Sequence, residues 1–359
     1  MSEASARLRR LQRRLDREGV DALYVSALPN IAYLTGFRGS AGHLLVPTTG
    51  PGTLFTDGRY RVQAAQEAPE AELVVAETDP LGALLGSLPG RGIRRMAFEA
   101  DRLSHAAWSR LCAGAPETSL TQALGWVERE RWVKSAAEIE AIRQAAELAA
   151  ASLDAVLGRL DAQWSEQRLA AEIDHEMRLR GASGPAFETI VAGGAHGALP
   201  HARPRPTPLP RRELIVIDHG AILGGYVSDQ TRVISLGDPG PRARDLAQAV
   251  QAAQQAAMAA IRAGVAAKTV DRAARESLKE QGLDSLFIHS TGHGLGLEIH
   301  ESPKLGKSED ARLRSGMVLT VEPGVYREGF AGARIEDIVT VTSQGYQRLL
   351  PATPGLLIL

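Results

Sequence analysis

The chain has 359 residues, of which 44% are hydrophobic and 23% are charged, and its formal net charge is −1. These values are typical of globular proteins, and the length favours two domains. The balanced charge gives no field that would favour nucleic acid or an anionic membrane as a partner. The single cysteine, Cys112, excludes an internal disulfide. The sequence contains no run of about 18 apolar residues, which is the length needed to span a bilayer. We expect a cytoplasmic protein.

The first third of the chain alternates helical and extended patterns. Leu8, Leu11 and Leu15 recur at helical spacing within residues 3–18, which predicts an amphipathic helix. Short apolar runs bounded by turn residues predict strands. These runs are residues 21–26, 42–46, 53–56, 73–76 and 96–99. We therefore expect a small mixed α/β N-terminal domain over residues 1–128.

The remaining part, residues 129–359, contains longer helical segments and pairs of strands. The predicted helices are residues 136–160, 164–180, 241–263 and 269–281. The predicted strands are residues 214–217, 232–236, 318–321 and 335–341. A glycine-containing segment joins the first two strands, which favours an antiparallel hairpin. This pattern predicts an α+β domain.

A weak repeat runs through this second part. Residues 165–172 resemble residues 269–276, 104 positions later. Pairs of carboxylates recur at similar offsets of 104 and 107 positions: Asp218 with Glu322, and Asp229 with Glu336. Similar composition could explain the helices alone, but the carboxylates favour a duplication. The repeat predicts two α+β halves that face each other about a pseudo-twofold axis.

Four carboxylates and one histidine lie within apolar strands or glycine turns: Asp218, Asp229, Glu322, Glu336 and His293. Ionised carboxylates in such places are costly unless they are paired. These segments offer too few cations apart from Arg334, so metal ions are the simplest source of positive charge. The set is hard and oxygen-rich, which suits Mn²⁺ best, with Co²⁺, Zn²⁺ or Fe²⁺ as alternatives. Five ligands are too many for one catalytic ion, so we expect two divalent ions.

Four motifs occur in a fixed order between about residues 187 and 337. They are Asp218-x-Gly-Ala-x-x-x-Gly-Tyr-x-Ser-Asp229-x-Thr-Arg, Gly-His293-Gly-Leu-Gly-Leu-x-x-His300-Glu-x-Pro, Glu322-Pro-Gly-x-Tyr and Arg334-Ile-Glu336-Asp. This series closely resembles the pita-bread metallopeptidases, which include aminopeptidase P and prolidase (Xaa-Pro dipeptidase). Residues 33–42 and 55–60 resemble aminopeptidase P more weakly. The resemblance implies a creatinase-like N-terminal domain and a pita-bread domain with a curved antiparallel sheet covered by helices.

The resemblance also implies a role for each site residue. Asp218 would bind one metal, Asp229 and Glu336 would bridge both, and His293 and Glu322 would complete the other. Glu322 would in addition exchange protons with the attacking water. The residues expected on the substrate side are His201 and His300 at the scissile carbonyl, with His289 as a further substrate-side group. Arg334 would orient carboxylates or contact the substrate.

The implied function is hydrolysis of the bond before a proline by water activated between two metal ions. The N-terminal segments favour an Xaa-Pro aminopeptidase, with an Xaa-Pro dipeptidase as the close alternative. The substrate is then a proline-containing peptide, and the resemblance implies a homodimer.

Two other functions and one unusual residue stay open at this point. A creatinase-like amidinohydrolase or a non-catalytic peptide-binding descendant would share the fold, but retention of all five ligands argues against both. Residue 219, usually apolar or aromatic in the family, is histidine. His219 either faces a neighbouring layer harmlessly or disturbs the affinity for metal.

Overall fold

The computed structural model describes residues 2–161, 163–352 and 354–359. The chain divides into two compact units, of which the first ends at Arg131 and the second begins at Trp132. The predicted domain boundary, residue 128, lies inside the last helix of the first unit, Trp126–Arg131. Within the described ranges, no helix combines the length and the apolar character that crossing a membrane requires.

The first unit is a six-stranded mixed sheet with helices. Its strands are β1 (Ala22–Val25), β2 (His43–Pro47), β3 (Thr53–Asp57), β4 (Glu72–Ala76), β5 (Arg95–Phe98) and β6 (Ser119–Gln122). Its helices are α1 (Glu3–Glu18), α2 (Leu28–Thr35), α3 (Arg61–Glu67), α4 (Pro80–Ser87), α5 (His105–Gly114) and α6 (Trp126–Arg131). The strand order is β4-β3-β2-β1-β5-β6. The five predicted strands are confirmed, and β6 is an additional edge strand.

Helix α1 forms where its sequence predicts. The Ser2 side chain accepts a hydrogen bond from the backbone of Ser5, and Gly19 ends the helix with a left-handed φ of 66°. Leu11 and Leu15 face the core and are fully buried. The helices α2 to α5 were not predicted, because each has 10 residues or fewer. So few residues carry a weak periodic signal.

The second unit contains four long helices and fourteen short strands within the described residues. The helices are α7 (Ala136–Leu157), α8 (Glu166–Leu179), α9 (Pro241–Ala259) and α10 (Ala267–Lys279). The strands are β7 (Gly184–Pro185), β8 (Ile190–Gly193), β9 (Ile215–His219), β10 (Ala221–Leu223), β11 (Tyr226–Val227), β12 (Gln230–Ser235), β13 (Gly292–Gly294), β14 (Glu301–Leu305), β15 (Val318–Val321), β16 (Gly324–Arg327), β17 (Ala331–Arg334), β18 (Asp337–Val341), β19 (Tyr346–Arg348) and β20 (Leu357–Ile358). All four predicted helices and all four predicted strands are present.

The predicted repeat of two helices followed by two strands is present in both halves. In the first half α7 and α8 precede the antiparallel pair β9–β12. In the second half α9 and α10 precede the antiparallel pair β15–β18. The first helix pair packs on its strands through Leu153, Ile173 and Ile217, all of them buried. The second packs through residues that include Val250 and Leu319. Each half thus has its own apolar core, which fixes the ends of its two strands.

A buried ion pair joins the start of this unit to β14. The Lys134 ammonium lies 3.0 Å from Glu301 Oε2, and the two side chains are only 2% and 5% exposed. Glu301 Oε1 accepts hydrogen bonds from the backbone N–H groups of Leu297 and Glu298. The carboxylate therefore holds the turn that leads to His300, and the lysine balances its charge.

We expect Lys134→Met to lower the free energy of unfolding by about 3–5 kcal/mol, because it removes one partner of a buried ion pair. The matched control is Lys268→Met, which breaks the exposed pair of Lys268 with Asp310 and should cost at most about 1 kcal/mol. Urea unfolding checks this, with a separate transition fitted for each compact unit. Equal losses in the two variants would contradict the structural role of the buried pair.

Candidate active site

Two antiparallel strand pairs bring the four predicted carboxylates together. Asp218 lies on β9 opposite Thr231 of β12, and Asp229 directly precedes β12. Glu322 directly follows β15, and Glu336 directly precedes β18. The backbone N–H of Glu336 donates to the carbonyl oxygen of Thr231 at 3.2 Å. This bond connects the strand pairs of the two halves at the carboxylates.

Three of the carboxylates meet directly. One oxygen atom from each of Asp218, Asp229 and Glu336 lies within 4.8 Å of the other two, and all three residues are buried. Asp218 Oδ1 and Glu336 Oε1 are buried atoms without a hydrogen-bond partner among the described residues. A buried polar atom without a partner costs about 1–3 kcal/mol, and more when it is charged. These oxygens therefore need a cation or a proton.

His293 and Glu322 complete the group of predicted ligands. His293 Nε2 lies 3.5 Å from Asp229 Oδ2 and 3.3 Å from Glu322 Oε1. His293 Nδ1 lies 2.9 Å from the carbonyl oxygen of Gly294, which can only accept, so Nδ1 carries the hydrogen. Burial lowers the pKa of His293 to about 4, and the neutral ring therefore presents a lone pair at Nε2. A lone pair that faces two ionised carboxylates is repelled by them unless a cation or a proton lies between.

The charges of the site are unbalanced. Burial, and then repulsion by Glu336 and Asp218, raise the pKa of Asp229 well above its usual value. Burial, and then repulsion by Glu322 and Asp218, also raise the pKa of Glu336 well above its usual value. Burial raises the pKa of Glu322 to about 7, although Arg334 opposes the shift. Without further positive charge, the four carboxylates cannot all be ionised at neutral pH.

This geometry fits divalent metal ions. The unpartnered oxygens, the raised carboxylate pKa values and the exposed lone pair of His293 are each relieved by cations at the same place. The donor set of four carboxylates and one imidazole suits hard divalent ions such as Mn²⁺. The structure therefore brings together all five residues that were predicted as ligands.

Arg334 connects the carboxylates to the substrate side. Its guanidinium donates to Asp218 Oδ2 at 2.6 Å, to the hydroxyl oxygen of Thr231 at 3.1 Å and to that of Tyr326 at 2.7 Å. Burial alone would lower the pKa of Arg334, but Tyr326 and Asp218 raise it well above the usual value. The Arg334 side chain is only 5% exposed. Its position suits the orientation of Asp218 better than direct contact with a substrate.

His289 uses both ring nitrogens within the protein. Its Nδ1 lies 2.8 Å from the carbonyl oxygen of Ser290 and must donate to it. Its Nε2 lies 2.8 Å from the Tyr326 hydroxyl. Burial lowers the pKa of His289 to about 4, so the neutral ring has its one hydrogen on Nδ1 and Nε2 accepts from that hydroxyl. The chain Arg334–Tyr326–His289 fixes the tautomer of His289. The ring lines the site but offers no free nitrogen to a substrate.

A cavity of about 570 Å³ opens above these groups. The predicted substrate-side residues lie on its wall: His201, His289, His300 and Arg334. The rings of His300 and His293 meet edge to face, with centroids 4.5 Å apart. Burial lowers the pKa of His300, so its ring is neutral near pH 7 and can donate one hydrogen bond. The cavity thus places imidazoles next to the carboxylate group.

His219 does not line this cavity. It is fully buried, with Nδ1 3.0 Å from the carbonyl oxygen of Gln230 and Nε2 3.3 Å from that of Ala149 on α7. Burial lowers its pKa to about 4, so a neutral ring donates from one nitrogen. His219 faces the helix layer behind Asp218, in agreement with the harmless alternative.

Three residues of the site were not predicted from the sequence: Thr231, Tyr326 and Lys304. Thr231 also donates to Glu336 Oε2 at 2.7 Å, and Lys304 lies on the cavity wall. Thr231 and Tyr326 lie inside the motifs quoted above, two residues after Asp229 and four residues after Glu322. Their positions in those motifs were the available signal.

Comparison with known proteins identifies the family. Residues 140–343 match metallopeptidase family M24, and residues 7–133 match the Creatinase/Prolidase N-terminal domain. The chain is a member of metallopeptidase family M24. The predicted resemblance and the pita-bread fold are thereby confirmed, and membership of a metallopeptidase family implies divalent metals.

Several M24 proteins of similar sequence and structure cover nearly the whole chain. The Xaa-Pro dipeptidase of Pyrococcus furiosus is 32% identical over 98% of this chain and 99% of its own length. An Xaa-Pro dipeptidase structure from Bacillus anthracis has a TM-score of 0.95 at 32% identity, and covers 99% of this chain and 100% of that chain. An X-Pro aminopeptidase structure from Thermotoga maritima has a TM-score of 0.90 at 35% identity, and covers 96% of this chain and 100% of that chain.

We expect Mn²⁺ to stabilise the metal-free protein, and to do so more at about pH 7.5 than at about pH 5. When folding raises the pKa of a carboxyl, the folded protein loses stability as the pH rises from the pKa of the unfolded state to that of the folded state. For Glu322 this window runs from 4.5 to about 7. Bound cations remove that loss, because they replace the proton. The measurement is the melting temperature with and without Mn²⁺ at both pH values.

The control for this experiment is Glu336→Ala, which removes one of the three converging carboxylates. Its melting temperature should respond much less to Mn²⁺. An equal response in wild type and variant at both pH values would show that Mn²⁺ binds elsewhere.

Proposed function

We propose that the protein is a metal-dependent Xaa-Pro dipeptidase, which hydrolyses the bond before proline in dipeptides. The proposal is supported by the similar proteins named above, two of which are Xaa-Pro dipeptidases. The observation that carries it is a cationic side chain, Lys304, on the wall of the cavity. Sequence reasoning preferred an aminopeptidase and kept the dipeptidase as its alternative.

Lys304 is placed by the register of β13 and β14. It pairs with His293 across the two antiparallel strands, and residues directly opposite each other point to the same face. The lysine ion pairs within the described residues belong to Lys134 and Lys268. The Lys304 ammonium is therefore a free cation beside the predicted metal ligands.

A cation on the wall of this cavity suits a short anionic substrate. An Xaa-Pro dipeptide carries its C-terminal carboxylate on the proline, immediately after the scissile bond. A charge-assisted hydrogen bond from Lys304 would hold that carboxylate. A longer peptide has an uncharged amide at the same place, so Lys304 would favour the dipeptide.

The residues of the site would divide the reaction between them. Asp218, Asp229, His293, Glu322 and Glu336 would hold two divalent ions, for which we propose Mn²⁺. When bound, these ions supply Lewis acidity, which polarises the scissile carbonyl and lowers the pKa of a water molecule. The attacking water oxygen bonds to the carbonyl carbon and Glu322 takes up its proton at the carboxylate.

The same proton is needed when the C–N bond breaks. The proline nitrogen has no hydrogen in the peptide, so it must be protonated to leave, and Glu322 can deliver the proton it has taken. His201 and His300 would donate hydrogen bonds to the carbonyl oxygen as negative charge develops on it. Loss of one such donor costs about 2.7–4 kcal/mol in comparable enzymes.

An Xaa-Pro aminopeptidase is the second candidate. It is favoured by the 35% identity to the X-Pro aminopeptidase structure from Thermotoga maritima. The chemistry at the carboxylates would be the same, and the difference lies in whether the cavity accepts residues after the proline. The homodimer and the cytoplasmic location stay predictions from the sequence.

The deciding experiment compares two substrates, Ala-Pro and Ala-Pro-Ala, with metal-free protein and with added Mn²⁺. We expect manganese-dependent cleavage of Ala-Pro and little cleavage of Ala-Pro-Ala. Glu336→Ala and Asp229→Ala should be inactive and should remain folded. Efficient cleavage of the tripeptide would instead establish the aminopeptidase. Failure to cleave either substrate with any divalent metal would refute both candidates.

Replacing Lys304 tests how the dipeptide is selected. In Lys304→Met, kcat/KM for Ala-Pro should fall about 10-fold, equal to about 1.4 kcal/mol, because the carboxylate loses its cation. Cleavage of Ala-Pro amide, which lacks that carboxylate, should change little. Lys307→Met is the control, since Lys307 does not line this cavity. An equal loss on both substrates would show that Lys304 does not recognise the carboxylate.

A further inference from the structure

His201 lies on a segment that gives its side chain no direct support. The segment, residues 194–204, begins with the 3₁₀ turn Gly194–Ala198. The His201 side chain lines the cavity and makes no hydrogen bond to any residue that the structure describes. The position of its imidazole therefore depends on how the backbone on either side is held.

Glu166 binds both ends of this segment. It is the first residue of α8 and is only 1% exposed. Oε1 accepts from the backbone N–H of Gly193 at 3.0 Å, and Oε2 accepts from that of Arg205 at 2.9 Å. The Arg205 guanidinium adds hydrogen bonds to both oxygens, at 3.1 and 3.0 Å. His196 Nδ1, inside the segment, donates to Oε2 at 3.0 Å.

These contacts hold Glu166 in its ionised form. Burial alone would raise its pKa, but the hydrogen bonds from Arg205, Gly193 and His196 lower it below the ordinary value. Hydrogen bonds to an ionised acceptor are about twice as strong as neutral ones. The segment has a further anchor at its middle, where Arg334 donates to the carbonyl oxygen of Pro200 at 3.2 Å. Glu166 thus fixes the two ends, and Arg334 fixes the residue before His201.

Glu166 itself does not reach the chemistry. It is absent from the cavity wall and is not among the converging carboxylates. We propose that Glu166 is a positioning residue, which holds residues 194–204 so that His201 faces the scissile carbonyl. The kinetic part of this inference rests on the proposed Xaa-Pro peptidase function, whereas the holding of the segment does not.

Amide hydrogen exchange tests the holding of the segment in the metal-free protein. Glu166→Gln keeps the size of the side chain but turns one acceptor oxygen into an NH₂ group that faces N–H donors. The amides of residues 194–204 should then exchange at least about 10-fold faster. The control is Glu172→Gln on the same helix, which loses ion pairs with Arg159 and Arg168 only and should leave the segment unchanged. Unchanged exchange in Glu166→Gln would overturn the proposal.

A double-mutant cycle tests whether Glu166 acts through His201. Glu166→Gln should lower kcat/KM for Ala-Pro by on the order of 10²-fold, the effect of a misplacement of about 1 Å. In the His201→Ala background the same change should add less than about twofold. Glu166→Asp, which keeps the charge, should recover part of the activity.

The outcomes distinguish the holding of residues 194–204 by Glu166 from its effect on catalysis. Full additivity of Glu166→Gln and His201→Ala would show that Glu166 acts elsewhere, and the positioning role would be wrong. If the wild-type protein cleaves no Xaa-Pro substrate, the proposed function fails, and hydrogen exchange alone decides whether Glu166 holds the segment.

Discussion

Four buried carboxylates share one small space, and their mutual repulsion is the constraint on which the site depends. Asp218, Asp229 and Glu336 bring oxygens within 4.8 Å of one another, and the nearest protein cation is Arg334. One guanidinium cannot balance four carboxylates, so the fold must either hold protons there or admit cations. Apolar cores on both sides keep the carboxylates together despite this cost, because each core fixes the end of a strand pair.

Three ionic contacts around this centre share one property. Arg334 holds Asp218, Lys134 holds Glu301 next to His300, and Glu166 holds the segment of His201. A buried ion pair adds little to stability, since desolvation offsets most of its attraction. Its geometry is nevertheless specific, and each of these pairs lies beside a residue that faces the cavity. We interpret them as contacts that determine position more than stability.

The sequence predicted the group of carboxylates better than it predicted the contacts that support them. Asp218 or Glu322 is conspicuous in a sequence, because a charge inside an apolar strand has no structural reason to be there. Lys134 and Glu301 are 167 positions apart, and neither interrupts a local pattern. Their pairing depends on the tertiary fold, which no local rule gives. The long helices were predicted for the same reason that α2 to α5 were missed: periodicity needs several turns to be visible.

The choice between dipeptides and longer peptides depends on a different part of the site from the chemistry. In the proposed reaction the carboxylates and His293 would act at the scissile bond, which is the same in both substrates. Lys304 lies opposite His293 on the neighbouring strand, so the β-sheet register itself places a cation next to the reacting centre. In its proposed role, a charge at that place would discriminate between a terminal carboxylate and an amide without altering the predicted ligands. A single cross-strand neighbour would then set the peptide-length preference while the ligand array and the fold stay the same.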